Sequence, residues 1–433
     1  MKLFRIALIF LIIIINHQDL RSQTLIKTSP DNTGMSGSRL ERISAMLSGH
    51  VDRGELSGAV ALVARNGKIA YLESFGFSDI ENRIPMQDDS IFRMASMTKM
   101  FTSVAVMILY EEGNFNLNDP VSSFIPEFRE MKVAVPPVQG QSGSSLATEP
   151  ANREITIRDL LRHTSGLTYS SYYPHLNNLY KDAGLDTGSD EPFNGSLHDF
   201  IRAISSLPLA FHPGTKWEYS YATDVLGYFV EAVSGQPLDR FMEERIFKPL
   251  GLRDTGFIVD DDMLERFTGL YKYEDEKLEL VESVNDSPFR KKPVNFSGGG
   301  GWTNNGYCGL VSTALDYTVM LQMLLNNGEY NGNRVLGRKT AELMLRDQLI
   351  DIDNNWLGPG VGFTLASAIC SDIQRYGEYG SEGLMWWAGS CNTYFFFDPV
   401  EEFIGVLMTQ MYPFGHLEMM GKFKILCYQA VEK

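Results

Sequence analysis

No G-x-S-x-G occurs anywhere in the 433 residues, which excludes the strained serine turn of an ordinary α/β-hydrolase. Cysteine is scarce. The four, Cys308, Cys370, Cys391 and Cys427, all lie in the last third and show no C-x-x-C spacing, which excludes a zinc ribbon or a thioredoxin-like redox motif. They read as buried free thiols, although an oxidising compartment would permit a disulfide between a pair the sequence does not specify. The seven histidines include no H-E-x-x-H, so neither a metal nor another cofactor is implied. Positive charge is also short: 38 basic against 54 acidic residues leave a net charge of −16, with no long Lys/Arg run. A phosphate-binding surface needs a basic patch, so nucleic acid is excluded as the main partner. With 44% apolar and 21% charged residues the composition is globular, neither disordered nor multi-span membrane.

What is present begins with MKLFRIALIFLIIIINHQDLRSQTL. Lys2 and Arg5 precede an apolar stretch, residues 6–15, that is short for a bilayer span, and Leu20 and Ser22 precede a candidate cut near Gln23. Residues 1–22 therefore read as an export signal, and the product as periplasmic or secreted. An uncleaved membrane anchor is the alternative. The stretch holds no cysteine, which argues against lipid attachment there.

Residues 38–53 place Leu40, Ile43, Leu47 and Val51 on one helical face. Two β-rich runs then flank Asn66-Gly67, a strong hairpin signal. A second strand pair is expected at 394–397 and 403–409, and a helix at about 416–431. Between the ends, residues 133–152 are Pro/Gly/Ser-rich, helical patterns recur at 157–162 and 222–233, and a charged, weakly patterned stretch at 271–293 precedes the Gly-rich run 297–301. The expected fold is α+β: an antiparallel sheet flanked by helices, drawn from about 36–132 and 298–433, with a mostly helical region at about 153–297 inserted. One domain would then span 23–433. The sequence leaves open whether 133–152 and 271–296 cover a cleft as lids or are merely long loops.

Three segments carry candidate chemistry. FRMASMTKMFTSVAV, residues 92–106, is largely apolar yet carries Ser96, Thr98 and Lys99 close together. Ser96 and Lys99, three apart, share a helical face, so an amine could take the hydroxyl's proton. Alternatively Lys99 snorkels from a core helix. PGTKWEYSYATDVLGYFVEAVSG, residues 213–235, puts Tyr219 and Tyr221 in the loop entering a helix, as site residues or as packing beside Trp217. In GLMWWAGSCNTYFFFDP, residues 383–399, the small residues Ala388, Gly389 and Ser390 interrupt an aromatic strand, marking a close approach or an ordinary bulge.

Together these segments resemble the serine β-lactamase and penicillin-binding superfamily, most closely its class C branch and the β-lactamase-like carboxylesterases and acyltransferases within it. ITIRDLLRHTSGL and GLVSTALDYTVMLQMLLNNGE extend the likeness from about residue 38 onward. The resemblance implies an antiparallel sheet flanked by helices. It makes Ser96 the acyl-forming nucleophile, Lys99 its activator and Tyr219 the general base and acid. The backbone N–H groups of Ser96 and Ser390 become the oxyanion hole, and Tyr221, Trp387, Ala388 and Gly389 fall at substrate-binding positions.

Two departures matter. Tyr219-Ser220-Tyr221 stands where β-lactamases of this branch carry Tyr-x-Asn, and Trp387-Ala388-Gly389 where they carry Lys-Thr-Gly. The missing lysine would pair with a substrate carboxylate, a contact worth roughly 1.5–3 kcal/mol. Lys339-Thr340-Ala341 and His163-Thr164-Ser165-Gly166 precede no suitable strand and read as structural. The leading expectation is an exported serine hydrolase of small-molecule esters or related acyl compounds. A class C-like β-lactamase or D-amino-acid peptidase acting on cell-wall material is the first alternative, and a non-catalytic penicillin-binding-like module the second.

Overall fold

Asn66 and Gly67 both adopt left-handed backbone (φ 53° and 68°), the geometry of a two-residue hairpin turn. In the computed structural model, which describes residues 25–136, 146–185, 193, 195–285, 287, 309–352, 354 and 356–433, this turn joins β2 (Gly58–Arg65) to β3 (Lys68–Asp79). The other strands on its path are β1 (Ile26–Lys27), β4 (Val361–Phe363), β5 (Ala368–Cys370), β6 (Met385–Ala388), β7 (Tyr394–Asp398) and β8 (Phe403–Thr409). They run in the order β1-β3-β2-β8-β7-β6-β5-β4, and Ile84–Pro85 pairs on β3. All neighbours are antiparallel except β1 with β3. The antiparallel sheet built from early and late strands is thus the one the sequence leads one to expect.

β2 is buried at every position because both faces of the sheet are covered. Val60, Leu62 and Ala64 join one core with Ile404, Val406 and Met408 of β8, while Ala59, Ala61 and Val63 join another with Phe403 and Leu407. The first core is closed by α2 (Thr98–Glu111), α3 (Ala222–Ser234) and α4 (Ala314–Leu325). The second is closed by α1 (Gly37–Asp52) and α5 (Met419–Tyr428), through Leu40, Ile43, Leu47, Phe423 and Cys427.

The inserted region holds short helices, Ile157–Leu161, Pro174–Asp182 and Leu197–Ser205. Thr156 with Asp159 and Ser196 with Asp199 form reciprocal capping boxes at two of their starts. Two stretches are more ordered than their composition suggests. Lys132–Ala134 pairs with Thr148–Pro150. Leu270–Glu274 and Lys277–Glu282 form a hairpin turned by left-handed Asp275 and Glu276, and Met411–Tyr412 pairs with it in parallel. Charge masked this hairpin, because most of its second strand faces solvent. Cys370, Cys391 and Cys427 are buried free thiols. Cys308, the expected signal segment and the Gly-rich run 297–301 lie outside the described residues. No helix among the described residues is long and apolar enough to cross a membrane.

One buried carboxyl makes the fold pH-sensitive. Asp316, in the first turn of α4, accepts hydrogen bonds from the Asp254 N–H (2.9 Å) and the Thr255 hydroxyl (3.0 Å). Burial outweighs these bonds and raises its pKa to about 6. The folded chain then holds this proton more tightly than the unfolded chain. The stability it confers is present below about pH 4 and lost as pH rises through 6. Asp316→Asn should remove that slope: wild type should lose up to about 3 kcal/mol relative to the variant between pH 4 and 7, measured by urea unfolding.

Candidate active site

Ser96 sits in a single 3-10 turn, Ala95–Met97, that runs directly into α2. Ala95, immediately before it, holds a left-handed backbone (φ 45°) that costs about 1–3 kcal/mol for a residue with a Cβ. The surroundings hold it there. Met94 N–H donates to Leu310 O (2.8 Å), Leu310 N–H donates to the Thr98 hydroxyl (2.9 Å), and Phe92–Arg93 pairs with Val311–Ser312. Ahead of this turn, Arg93 is fully buried, its guanidinium on Glu282 (2.5 Å) and the Thr268 carbonyl (2.6 Å). As the start of a helix, the turn leaves backbone N–H groups without intrahelical acceptors.

Twelve of the fourteen α2 residues are buried, Lys99 among them. Its ammonium does not snorkel to water. It donates to Ser96 Oγ at 3.4 Å and stands 4.7 Å from the centre of the Tyr219 ring. Tyr219 arrives there because α2 packs along α3, whose entry loop carries it. Trp387 of β6 donates its indole N–H to the Tyr219 hydroxyl at 3.2 Å. Three segments distant in sequence therefore meet around one lysine and one tyrosine.

Gly389 explains how the third segment comes so close. A Cβ there would lie 2.4 Å from the Met94 carbonyl oxygen and 2.3 Å from Thr393 Oγ1, so only glycine fits. The turn that follows is closed by Gly389 N–H to Thr393 O (2.8 Å) and Asn392 N–H to Gly389 O (3.0 Å), with Asn392 left-handed. Ser390 is the first residue inside it, next to the turn that carries Ser96.

Three of the expected substrate-binding positions are occupied with packing or turn contacts in the structure. Tyr221 is fully buried, its hydroxyl donating to Leu185 O (3.1 Å) and its ring packed on Tyr169 and Phe200. It is two residues past Tyr219, at the cap position directly before the helix begins at Ala222. Ala388 alternates with Trp387 and packs with the core under α1 and α5. Gly389 spends its N–H and C=O inside its own turn and acts as a spacer. Trp387 is half-buried and stands against Tyr219.

His163 belongs to the site although its sequence context reads as structural. Its ring lies 4.9 Å from that of Tyr219 and 5.5 Å from that of Phe363, with Nδ1 3.2 Å from the Ser220 hydroxyl. Burial, reinforced by the Lys99 ammonium, holds its pKa well below the ordinary value, so the imidazole is neutral. No local pattern announces it, because the contact is made across 56 residues of chain. Lys339 lies far from this chemistry in character: exposed and paired with Glu342.

Known proteins resemble this chain over most of its length. Protein Rv1367c of Mycobacterium tuberculosis is 35% identical over 373 residues, covering 84% of this chain and 88% of that one. Esterase EstB of Burkholderia gladioli is 32% identical over 361 residues, covering 80% and 84%. The solved structure of EstCE1, described as a hydrolase with promiscuous acyltransferase activity, superposes with a TM-score of 0.73 at 26% identity, covering 92% of this chain and 99% of that one. The profile of the family described as Beta-lactamase matches residues 43–420. With most of its length matched and an esterase among its relatives, this chain belongs to the Beta-lactamase family.

Proposed function

We propose that this chain is an exported serine hydrolase that forms an acyl-enzyme at Ser96 and hydrolyses uncharged esters or related acyl compounds. The observation that carries the reading is the Trp387 indole on the Tyr219 hydroxyl, where a β-lactamase of this branch would present a lysine. An indole N–H can steady a phenolic oxygen but offers no positive charge to a substrate carboxylate. The likeness to EstB and EstCE1 supports the same preference.

In this mechanism Ser96 Oγ attacks the ester carbonyl while the Tyr219 oxygen takes the serine proton. Lys99 and the Trp387 N–H place positive charge and a donor beside the tyrosine. The carbonyl oxygen becomes an oxyanion held by the N–H groups of Ser96 and Ser390. Tyr219 then gives its proton to the departing alkoxide, leaving an ester on Ser96. Water, deprotonated by Tyr219, attacks that ester, and the proton returns to Ser96 as the acid leaves. The neutral His163 ring braces the tyrosine without competing for the proton.

The test is a substrate pair. A short-chain nitrophenyl ester should be turned over and a chromogenic cephalosporin turned over far less, with a covalent adduct on Ser96 detected by mass spectrometry. Efficient cephalosporin turnover would favour a β-lactamase instead. Turnover of neither, without an adduct, would leave a non-catalytic module. The export reading rests on residues 1–22 and is tested by the N-terminal sequence of the protein recovered from the cell exterior.

A further inference from the structure

Beside Tyr219 the surface opens into a cleft of about 300 Å³, at the small end of ligand pockets. Its walls include Tyr172, Tyr173, Trp217 and Trp356. Trp356 is 63% exposed, with one face on Trp217 at 5.2 Å between ring centres. Trp217 is in turn stacked 6.5 Å from Tyr219. A row of three rings thus leads from the mouth of the cleft to the proposed base.

The cleft also has a polar wall. Glu218 Oε2 accepts from the Tyr173 hydroxyl (2.7 Å) and from the Lys216 ammonium (2.9 Å), which also donates to Tyr173 Oη (3.0 Å). The Glu218 side chain is only 10% exposed, and its second oxygen, Oε1, is closed to water with no hydrogen-bond partner among the described residues. A buried carboxylate oxygen without a donor is unfavourable, and such atoms in folded proteins call for a specific cause.

Resting on the ester-hydrolase reading above, we propose that this cleft is a subsite for a planar aromatic group of the substrate that carries a hydrogen-bond donor, a phenolic hydroxyl or an aryl amine. The ring lies against the exposed Trp356, which is itself backed by the buried Trp217, and a small turn of Glu218 brings Oε1 to the donor. A full cation is not called for, because Lys216 already neutralises the carboxylate.

Two ester series separate a ring on the acyl part from a ring on the alcohol part. The first compares ethyl hydroxyphenylpropanoate, ethyl phenylpropanoate and ethyl hexanoate; the second compares hydroxyphenylethyl acetate, phenylethyl acetate and hexyl acetate. In at least one series kcat/KM should be about tenfold higher for the hydroxyphenyl ester than for the aliphatic one, with the phenyl ester between. Trp356→Ala should lower that ratio about fivefold, mainly through KM, and Trp356→Phe should restore most of it. Equal handling of hydroxyphenyl and aliphatic esters in both series, or a ratio untouched by Trp356→Ala, would overturn the subsite. Ser96-dependent hydrolysis of the aliphatic esters tests the parent reading separately. Quenching of tryptophan fluorescence by hydroxyphenylpropanamide in Ser96→Ala, lost when Trp356→Ala is added, reads the subsite even without turnover.

Discussion

Ser96→Ala should reduce ester turnover by at least about 10⁴-fold and abolish the covalent adduct, while leaving the unfolding midpoint within a few degrees of wild type. The reasons are local. The hydroxyl accepts from the Lys99 ammonium one helical turn away. Removing one oxygen creates little void and relaxes nothing at Ala95, whose backbone is set by Met94, Leu310 and Gly389. What remains in the variant is the oxyanion site and substrate binding, which together give modest acceleration over water. Retention of more than about one hundredth of the wild-type kcat would exclude Ser96 as the nucleophile.

Tyr219→Phe should lower kcat by roughly 10²–10⁴-fold, the loss expected for a positioned acid/base, with KM changed far less. The ring would keep its contacts with His163, Tyr169, Trp217 and Trp387. Only the oxygen is lost, and with it the acceptor for the Trp387 N–H. Because that donor is half-buried, water can replace the partner, and thermal stability should fall only slightly. An unchanged kcat would remove the tyrosine from proton transfer and return that task to Lys99.

Local signals in the chain announced their structures well. Asn66-Gly67 turns because both residues tolerate positive φ, and the interruption of an apolar helix by Ser96 and Lys99 marks a buried amine with a partner one turn away. Contacts made across the fold were not legible. The Trp387–Tyr219 bond joins residues 168 apart, and nothing in either segment refers to the other. The burial of Tyr221 follows from where the loop becomes helix, and boundaries of one or two residues are what local patterns fix least well. Ala388 illustrates a different limit. Strand alternation places it opposite Trp387, but which face of the sheet looks onto the site depends on helices elsewhere in the chain.

The position of β8 between β2 and β7 has a consequence for how the chain acquires its shape. Val60 and Met408 lie side by side although almost the whole length of the polypeptide separates them. During synthesis, the first hairpin can close early but must display a bare, apolar strand edge until residues 403–409 leave the ribosome. Assembly of the sheet should therefore be late and slow, and truncated or stalled nascent chains should depend on chaperones far more than the finished molecule does.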